Sequence, residues 1–136
     1  MTETKMRKLT VNDLVEAGAC RGALDWLREG LAERFSNVDE AWVKCPEGDW
    51  MLWVLQNFPN EENRPAILAA IQYVIGNFCR DAIDPGLFTY PVDSVTKVLV
   101  GACDDLFSSY GTSILIKRFF PKVPNIPVDH FVDEED

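Results

Sequence analysis

The sequence has few of the residues on which most metal and nucleophilic sites depend. It contains one histidine, His130, and four cysteines that stand far apart with no C-x-x-C pair. Metal sites need clustered ligands, and a cysteine nucleophile normally needs a histidine base or a strongly positive environment. His130 lies in an acidic tail, where we expect a solvated side chain, and Cys45 has only Lys44 beside it. Glycines stand singly, so no phosphate-binding loop is predicted either. We therefore expect no metal, no cofactor and no enzymatic activity, although paired-carboxylate chemistry stays open because acids are common.

Long apolar runs and a basic face are also missing. No run approaches the roughly 20 residues of a membrane span, and the first ten residues lack the apolar segment of a secretion signal. The net charge is −9, and residues 129–136 alone hold five acids and no Lys or Arg, which leaves −4 for the rest. A nucleic-acid-binding domain should show a basic surface. We expect a cytoplasmic protein with reduced cysteines that contacts neither membrane nor nucleic acid directly; a disulfide stays open, because spacing alone does not exclude it.

What the sequence does contain is helical periodicity. Apolar residues recur every three to four positions in six stretches, at about 11–17, 19–29, 38–44, 50–57, 65–81 and 95–119. The chain of 136 residues fits one domain. We predict an all-α fold, a single compact bundle of about six helices over residues 10–128 with an extended proline-rich C-terminal segment. A flexible N-terminus (1–9) and an acidic tail (129–136) flank this bundle.

Several residues are predicted to mark helix ends. Thr10 with Asp13 forms a capping signal, and Gly18 suits a left-handed helix end. Ser36 with Asp39 is a second capping signal, Gly30 should end or weaken the second helix, and Asp49 should cap the helix that starts at Trp50. Gly111 falls near the middle of the last long helix, where it permits close packing or a kink.

The stretch W-V-K-C-P-E-G-D-W-M-L-W (residues 42–53) holds three of the four tryptophans. Pro46 disfavours helix at the residue before it, and Pro-Glu-Gly is typical of a turn. The helix that follows is apolar nearly all round, which favours a position inside the protein. We therefore interpret Trp50 and Trp53 as core residues, and a ligand pocket beside them is the alternative.

Three segments carry a resemblance to other proteins: L-V-E-A-G-A-C-R-G-A-L-D-W-L (14–27), the tryptophan stretch (42–53) and S-I-L-I-K-R-F-F-P (113–121). In this order they resemble a group of small, uncharacterised helical proteins of bacteria and phages, some of which are labelled immunity proteins. The likeness spans most of residues 11–121. It departs from the group at D-P-G-L-F-T-Y-P-V (84–92), where such relatives tend to be rich in alanine. The resemblance supplies no catalytic residues.

The leading functional prediction is a protein-binding module that inhibits a partner protein, as an immunity protein or a phage inhibitor does. Acids of such inhibitors often face a basic nucleic-acid-processing enzyme. Two alternatives stay open: an acidic mimic of nucleic acid, and a small-ligand-binding protein or enzyme with a pocket near Trp50 and Trp53. The oligomeric state does not follow from the sequence. The predicted partner contacts lie in the 84–92 loop and the acidic tail, at Leu87, Phe88, Tyr90, Asp129, Asp133, Glu134 and Glu135.

Overall fold

The computed structural model describes residues 6–78 and 85–127 of the chain. In these ranges it contains two short strands and seven α-helices: β1 (Met6–Lys8), α1 (Val11–Ala17), α2 (Arg21–Glu33), α3 (Val38–Lys44), α4 (Gly48–Asn57), α5 (Arg64–Phe78), α6 (Val92–Leu106), α7 (Ser109–Phe119) and β2 (Asn125–Pro127). The predicted all-helical class is confirmed, with seven helices where about six were expected. None of the helices in this part of the chain has the length and apolar character that crossing a membrane requires.

The first helix begins and ends as predicted. The Thr10 hydroxyl accepts a hydrogen bond from the Asp13 backbone N–H at 3.2 Å, and the Asp13 carboxylate accepts one from the Thr10 N–H at 2.8 Å. This reciprocal pair satisfies two donors that a helix start leaves open. Gly18 has φ of 87°, the left-handed conformation that favours glycine. Local sequence chemistry therefore fixes both ends of α1.

Three predicted helix ends are wrong. Gly30 does not end α2: it is buried inside the helix, which continues to Glu33, and a Cβ atom there would collide with the ring of Phe35. The cap of α3 is Asn37, whose side chain accepts from the Glu40 N–H at 2.9 Å. The Ser36 N–H donates to the Glu40 carboxylate at 2.7 Å. Asn37 and Glu40 therefore form the capping pair of α3, in place of the predicted Ser36 and Asp39.

The third wrong end is Asp49, which lies in the first turn of α4 instead of capping it. The helix begins two residues earlier than predicted, at Gly48 instead of Trp50, and its N-cap is Glu47. A Cβ atom at Gly48 would collide with the Ser113 backbone N and the Thr112 side chain on α7. The close approach of α7 therefore sets where α4 starts, and a tertiary contact of this kind leaves no local signal.

The predicted long helix at 95–119 is two helices, α6 and α7. Phe107 has extended backbone angles (φ −131°, ψ 151°) between them. Ser108 caps α7 by accepting a hydrogen bond from the Gly111 N–H at 3.2 Å. The Phe107 ring meets that of Phe78 edge-on, with 5.0 Å between centroids. A serine cap and an aromatic contact thus place the break before Gly111, not at it.

The two ends of the described chain are joined by backbone pairing. β1 and β2 are antiparallel, with Arg7 opposite Ile126. Leu9 is only 2% exposed and Val123 only 3%. Ordered structure therefore begins before Thr10, within the segment predicted to be flexible, and it extends into the proline-rich segment.

The helices pack in two groups. In the first, α4 packs closely on α7, α5 on α6, and α4 and α5 also contact α6 and α7 respectively. Its centre is fully buried and contains Phe58, Ile67, Leu99 and Ile116. In the second, α1 packs on α2 and α2 on α3. The more extensive contacts between α-helices of the described chain all fall within these two groups. A cavity lies between the second group and α4.

Candidate functional site

An apolar cavity of about 360 Å³, partly open to solvent, lies between α4 and the layer of α1–α3. We call it the tryptophan cavity, because all four tryptophans of the chain line it: Trp26, Trp42, Trp50 and Trp53. Its other walls are mostly aliphatic and include Leu14, Leu27, Val38, Ala41, Met51 and Val54. Pockets that bind small molecules commonly have this size and predominantly apolar lining.

Three of the four indoles keep part of their surface accessible. Trp26, Trp50 and Trp53 are half-buried, whereas Trp42 is 6% exposed. The rings of Trp26 and Trp50 meet at a tilt, with centroids 6.0 Å apart, so α2 and α4 touch through their indoles. The sequence interpretation of Trp50 and Trp53 as core residues is therefore wrong in part, since both pack on the core and also line the cavity.

Trp42 has a structural role as well as a lining one. Its indole N–H donates a hydrogen bond of 2.7 Å to the Phe120 carbonyl, just after α7. Nearby, the Val123 N–H donates to the Asp39 carboxylate at 3.1 Å. Two residues of α3 thus hold the segment that leads to β2, and this segment supplies Val123 to the cavity wall.

The turn between α3 and α4 forms another part of the wall. The hydroxyl of Ser113 on α7 donates to the Cys45 carbonyl at 2.6 Å, and the Cys45 thiol donates to the Glu47 carbonyl at 3.5 Å. Burial raises the pKa of the Cys45 thiol, and the hydrogen bond to Glu47 and the charge of Lys117 only partly oppose this. The thiol is therefore protonated at neutral pH and unsuited to act as a nucleophile.

Asp49 is the single charged residue among those that the structure places in the cavity wall. It is exposed, in the first turn of α4. Its backbone N–H donates to the Ser109 hydroxyl at 3.2 Å, and that hydroxyl donates to the Glu47 carboxylate at 2.8 Å. This chain of bonds fixes the backbone at the rim and engages Glu47, but it does not involve the carboxylate of Asp49.

The predicted partner contacts do not form one described surface. Leu87 is 4% exposed and belongs to the core, so it offers almost no surface to a partner. Tyr90 is 39% exposed, and its carbonyl accepts a hydrogen bond of 2.6 Å from Arg64. The side chain of Phe88 lies outside the described residues, as do Asp129, Asp133, Glu134 and Glu135 of the acidic tail.

Metal and disulfide chemistry is absent from the described part of the chain. Within residues 6–78 and 85–127, no group of three or more His, Cys, Asp or Glu side chains could hold a metal ion. Cys20, Cys45 and Cys103 carry free thiols. His130 and Cys79 lie outside the described residues, so the expectations for them are not tested.

The chain matches no known protein family, no curated protein and no solved structure. The resemblance to small helical proteins of bacteria and phages therefore stays a prediction.

Sequence reasoning missed the half of the cavity that α1–α3 contribute. The signal that could have revealed it is the placement of small residues opposite large rings. Ala23 and Ala41 line the cavity across from the indoles of α4, and a Cβ at Gly22 would stand 3.9 Å from the Trp50 ring. Small side chains on one layer and bulky ones on the other leave space, but only the fold shows that the two faces meet.

Proposed function

We propose that this protein binds a small, largely apolar molecule in the tryptophan cavity. The observation that carries the proposal is an apolar cavity of about 360 Å³ lined by four indoles, with a single charged residue in its described wall. This corresponds to the alternative hypothesis of a small-ligand pocket near Trp50 and Trp53, with Trp26 and Trp42 added to its lining. The inhibitor function expected from the sequence remains a second candidate.

Elementary energetics favour such a ligand. Water in an apolar cavity has few hydrogen-bonding partners, and covering apolar surface contributes roughly 25 cal/mol per Å². An apolar cavity of roughly 150 Å³ takes up benzene, so the tryptophan cavity has room for about two fused aromatic rings. A ligand of roughly twelve non-hydrogen atoms should bind with a Kd between about 10 µM and 1 mM.

Naphthylmethanol, a neutral two-ring probe, tests this proposal. We expect saturable, one-to-one binding to the full chain by isothermal titration calorimetry, with a negative heat-capacity change from apolar burial. The substitution Ala23→Leu adds bulk to the cavity wall and should weaken binding at least ten-fold. Ala69→Leu adds the same atoms at an exposed position of α5, outside the cavity, and should leave binding unchanged.

Circular dichroism and urea unfolding of both variants show whether each is folded. Equal binding to wild type, Ala23→Leu and Ala69→Leu would place the probe elsewhere and contradict the proposal. Absence of binding to folded wild-type protein, at probe concentrations up to its solubility, would contradict it as well.

One observation favours the second candidate, a protein-binding module. Three large apolar side chains are exposed at the end of α5 and in the first half of α7: Phe78 by 51%, Tyr110 by 65% and Ile114 by 56%. Exposed apolar groups of this kind often mark protein contacts. Serine at Tyr110 and Ile114, which leaves the Phe78–Phe107 ring contact intact, should remove proteins that the wild type captures from an extract, whereas Ala23→Leu should retain them. Capture that survives this double substitution would contradict Tyr110 and Ile114 as the contact.

A further inference from the structure

We infer that the tryptophan cavity is selective for ligands that join a positively charged group, such as an amine, to an apolar body. This inference rests on the proposed function and specifies the chemical class of its ligand. The observation behind it is the position of Asp49, the one charged residue in the described cavity wall, next in sequence to Trp50.

The carboxylate of Asp49 is available to a ligand. Among the described residues it accepts no hydrogen bond and forms no ion pair, whereas Glu47 accepts a hydrogen bond of 2.8 Å from Ser109. The bond from the Asp49 N–H to Ser109 holds the backbone in place without occupying the side chain. A cation at the rim can therefore approach this carboxylate without first breaking a contact within the protein.

The neighbouring rings suit the same ligand. Indole faces carry negative electrostatic potential, so a cation gains from lying over them while its apolar body remains in the cavity. Trp26 and Trp50, in contact with each other, are half-buried lining residues. Aromatic faces and a carboxylate together favour an ammonium group more than either does alone.

Anionic ligands meet the opposite situation. Glu47 and Asp49 both lie at the start of α4, where their charges already offset the positive end of the helix dipole. Lys117 on α7 acts electrostatically on Cys45, but it is not among the residues that line the cavity. A ligand carboxylate would therefore face Asp49 at the rim with no described lining cation to balance it.

Three probes with the same two-ring body test the charge preference: naphthylmethylamine, naphthylmethanol and naphthaleneacetate (the carboxylate), which are cationic, neutral and anionic at neutral pH. At low salt we expect wild-type protein to bind the amine two- to five-fold more tightly than the alcohol, the range for a solvent-exposed ion pair. The acetate should bind more weakly than the alcohol. Asp49→Asn should reduce the preference for the amine over the alcohol to the part that the indole faces alone supply.

The control is Asp105→Asn, which removes one charge at an exposed position of α6 away from the cavity and should keep the preference. The preference of the wild type should also shrink as salt is raised, since screening acts on exposed pairs. Equal affinity of the wild type for amine and alcohol, or an amine preference that is undiminished in Asp49→Asn, overturns the charge inference and leaves the cavity proposal standing. Failure of all three probes to bind overturns the proposed function itself.

Discussion

The indole N–H of Trp42 donates to the carbonyl of Phe120 across 78 positions of sequence, at 2.7 Å. This buried bond fastens the end of α7 to α3, and the chain between Phe120 and β2 then supplies a wall of the cavity. Trp42→Phe removes the donor and leaves the Phe120 carbonyl without its partner. We expect the free energy of unfolding to fall by about 2–3 kcal/mol, measured by urea denaturation.

Trp53→Phe is the matched control for that experiment. Trp53 is half-buried, and its indole N–H has no hydrogen-bond partner within the described residues. Its replacement should cost less than about 1 kcal/mol, because only part of a ring is lost from a partly open wall. A Trp42→Phe variant as stable as Trp53→Phe would contradict the structural role of the Trp42 bond.

The same substitution, glycine to alanine, should have opposite effects on stability at Gly48 and Gly101. Gly48→Ala places a methyl group against the Ser113 backbone and the Thr112 side chain, where α4 packs on α7. Gly101→Ala places it in open space on α6. We expect Gly48→Ala to destabilise by about 1–3 kcal/mol through overpacking, and Gly101→Ala to stabilise by roughly 0.5–1 kcal/mol through helix propensity.

Thermal unfolding followed by circular dichroism measures both glycine variants against wild type. A destabilised Gly101→Ala or a neutral Gly48→Ala would contradict the packing described here. The second outcome would mean that α4 and α7 lie further apart than the structure shows.

The sequence allowed the all-helical class and the ends of several helices to be predicted, because these depend on local chemistry. Thr10 with Asp13 caps a helix wherever it lies, and α3 spans the predicted residues 38–44. The start of α4 was not predictable, because it depends on α7 approaching Gly48. The break at Phe107 was predictable only in part, because the Ser108 cap is local whereas the ring of α5 meets Phe107 only in the folded protein.

The candidate site was less predictable than the fold. The sequence marks Trp50 and Trp53 by their proximity, and a pocket beside them was one of the alternatives. It does not show that Trp26, twenty-four residues before Trp50, meets it ring to ring. A cavity forms where the side chains of two layers do not interlock. The apolar periodicity of either layer alone does not indicate where this happens.

The pH dependence of stability should reveal the buried thiol of Cys103. Burial raises the pKa of this thiol to about 11, from an ordinary value of 9.0. Because the folded-state pKa is raised, this group stabilises the fold fully below pH 9, and that contribution is lost as pH rises toward 11. The stability difference between wild type and Cys103→Ala should therefore narrow over this range, as measured by urea unfolding at each pH. A constant difference would contradict a buried, protonated thiol.

Cys20 offers a direct chemical report on the cavity. It lines the cavity and is exposed, whereas Cys45 and Cys103 are buried. A maleimide should therefore modify Cys20 faster than either buried thiol in folded protein, since only the accessible thiolate reacts quickly.

Naphthylmethanol in the cavity should slow the reaction of Cys20 in wild type and Ala69→Leu, but not in Ala23→Leu, which should bind the probe poorly. Mass spectrometry of the modified peptides separates the four cysteines. Protection of Cys20 that is equally strong in Ala23→Leu would show that the probe acts on the thiol from outside the cavity, because the added leucine atoms occupy the space the rings need.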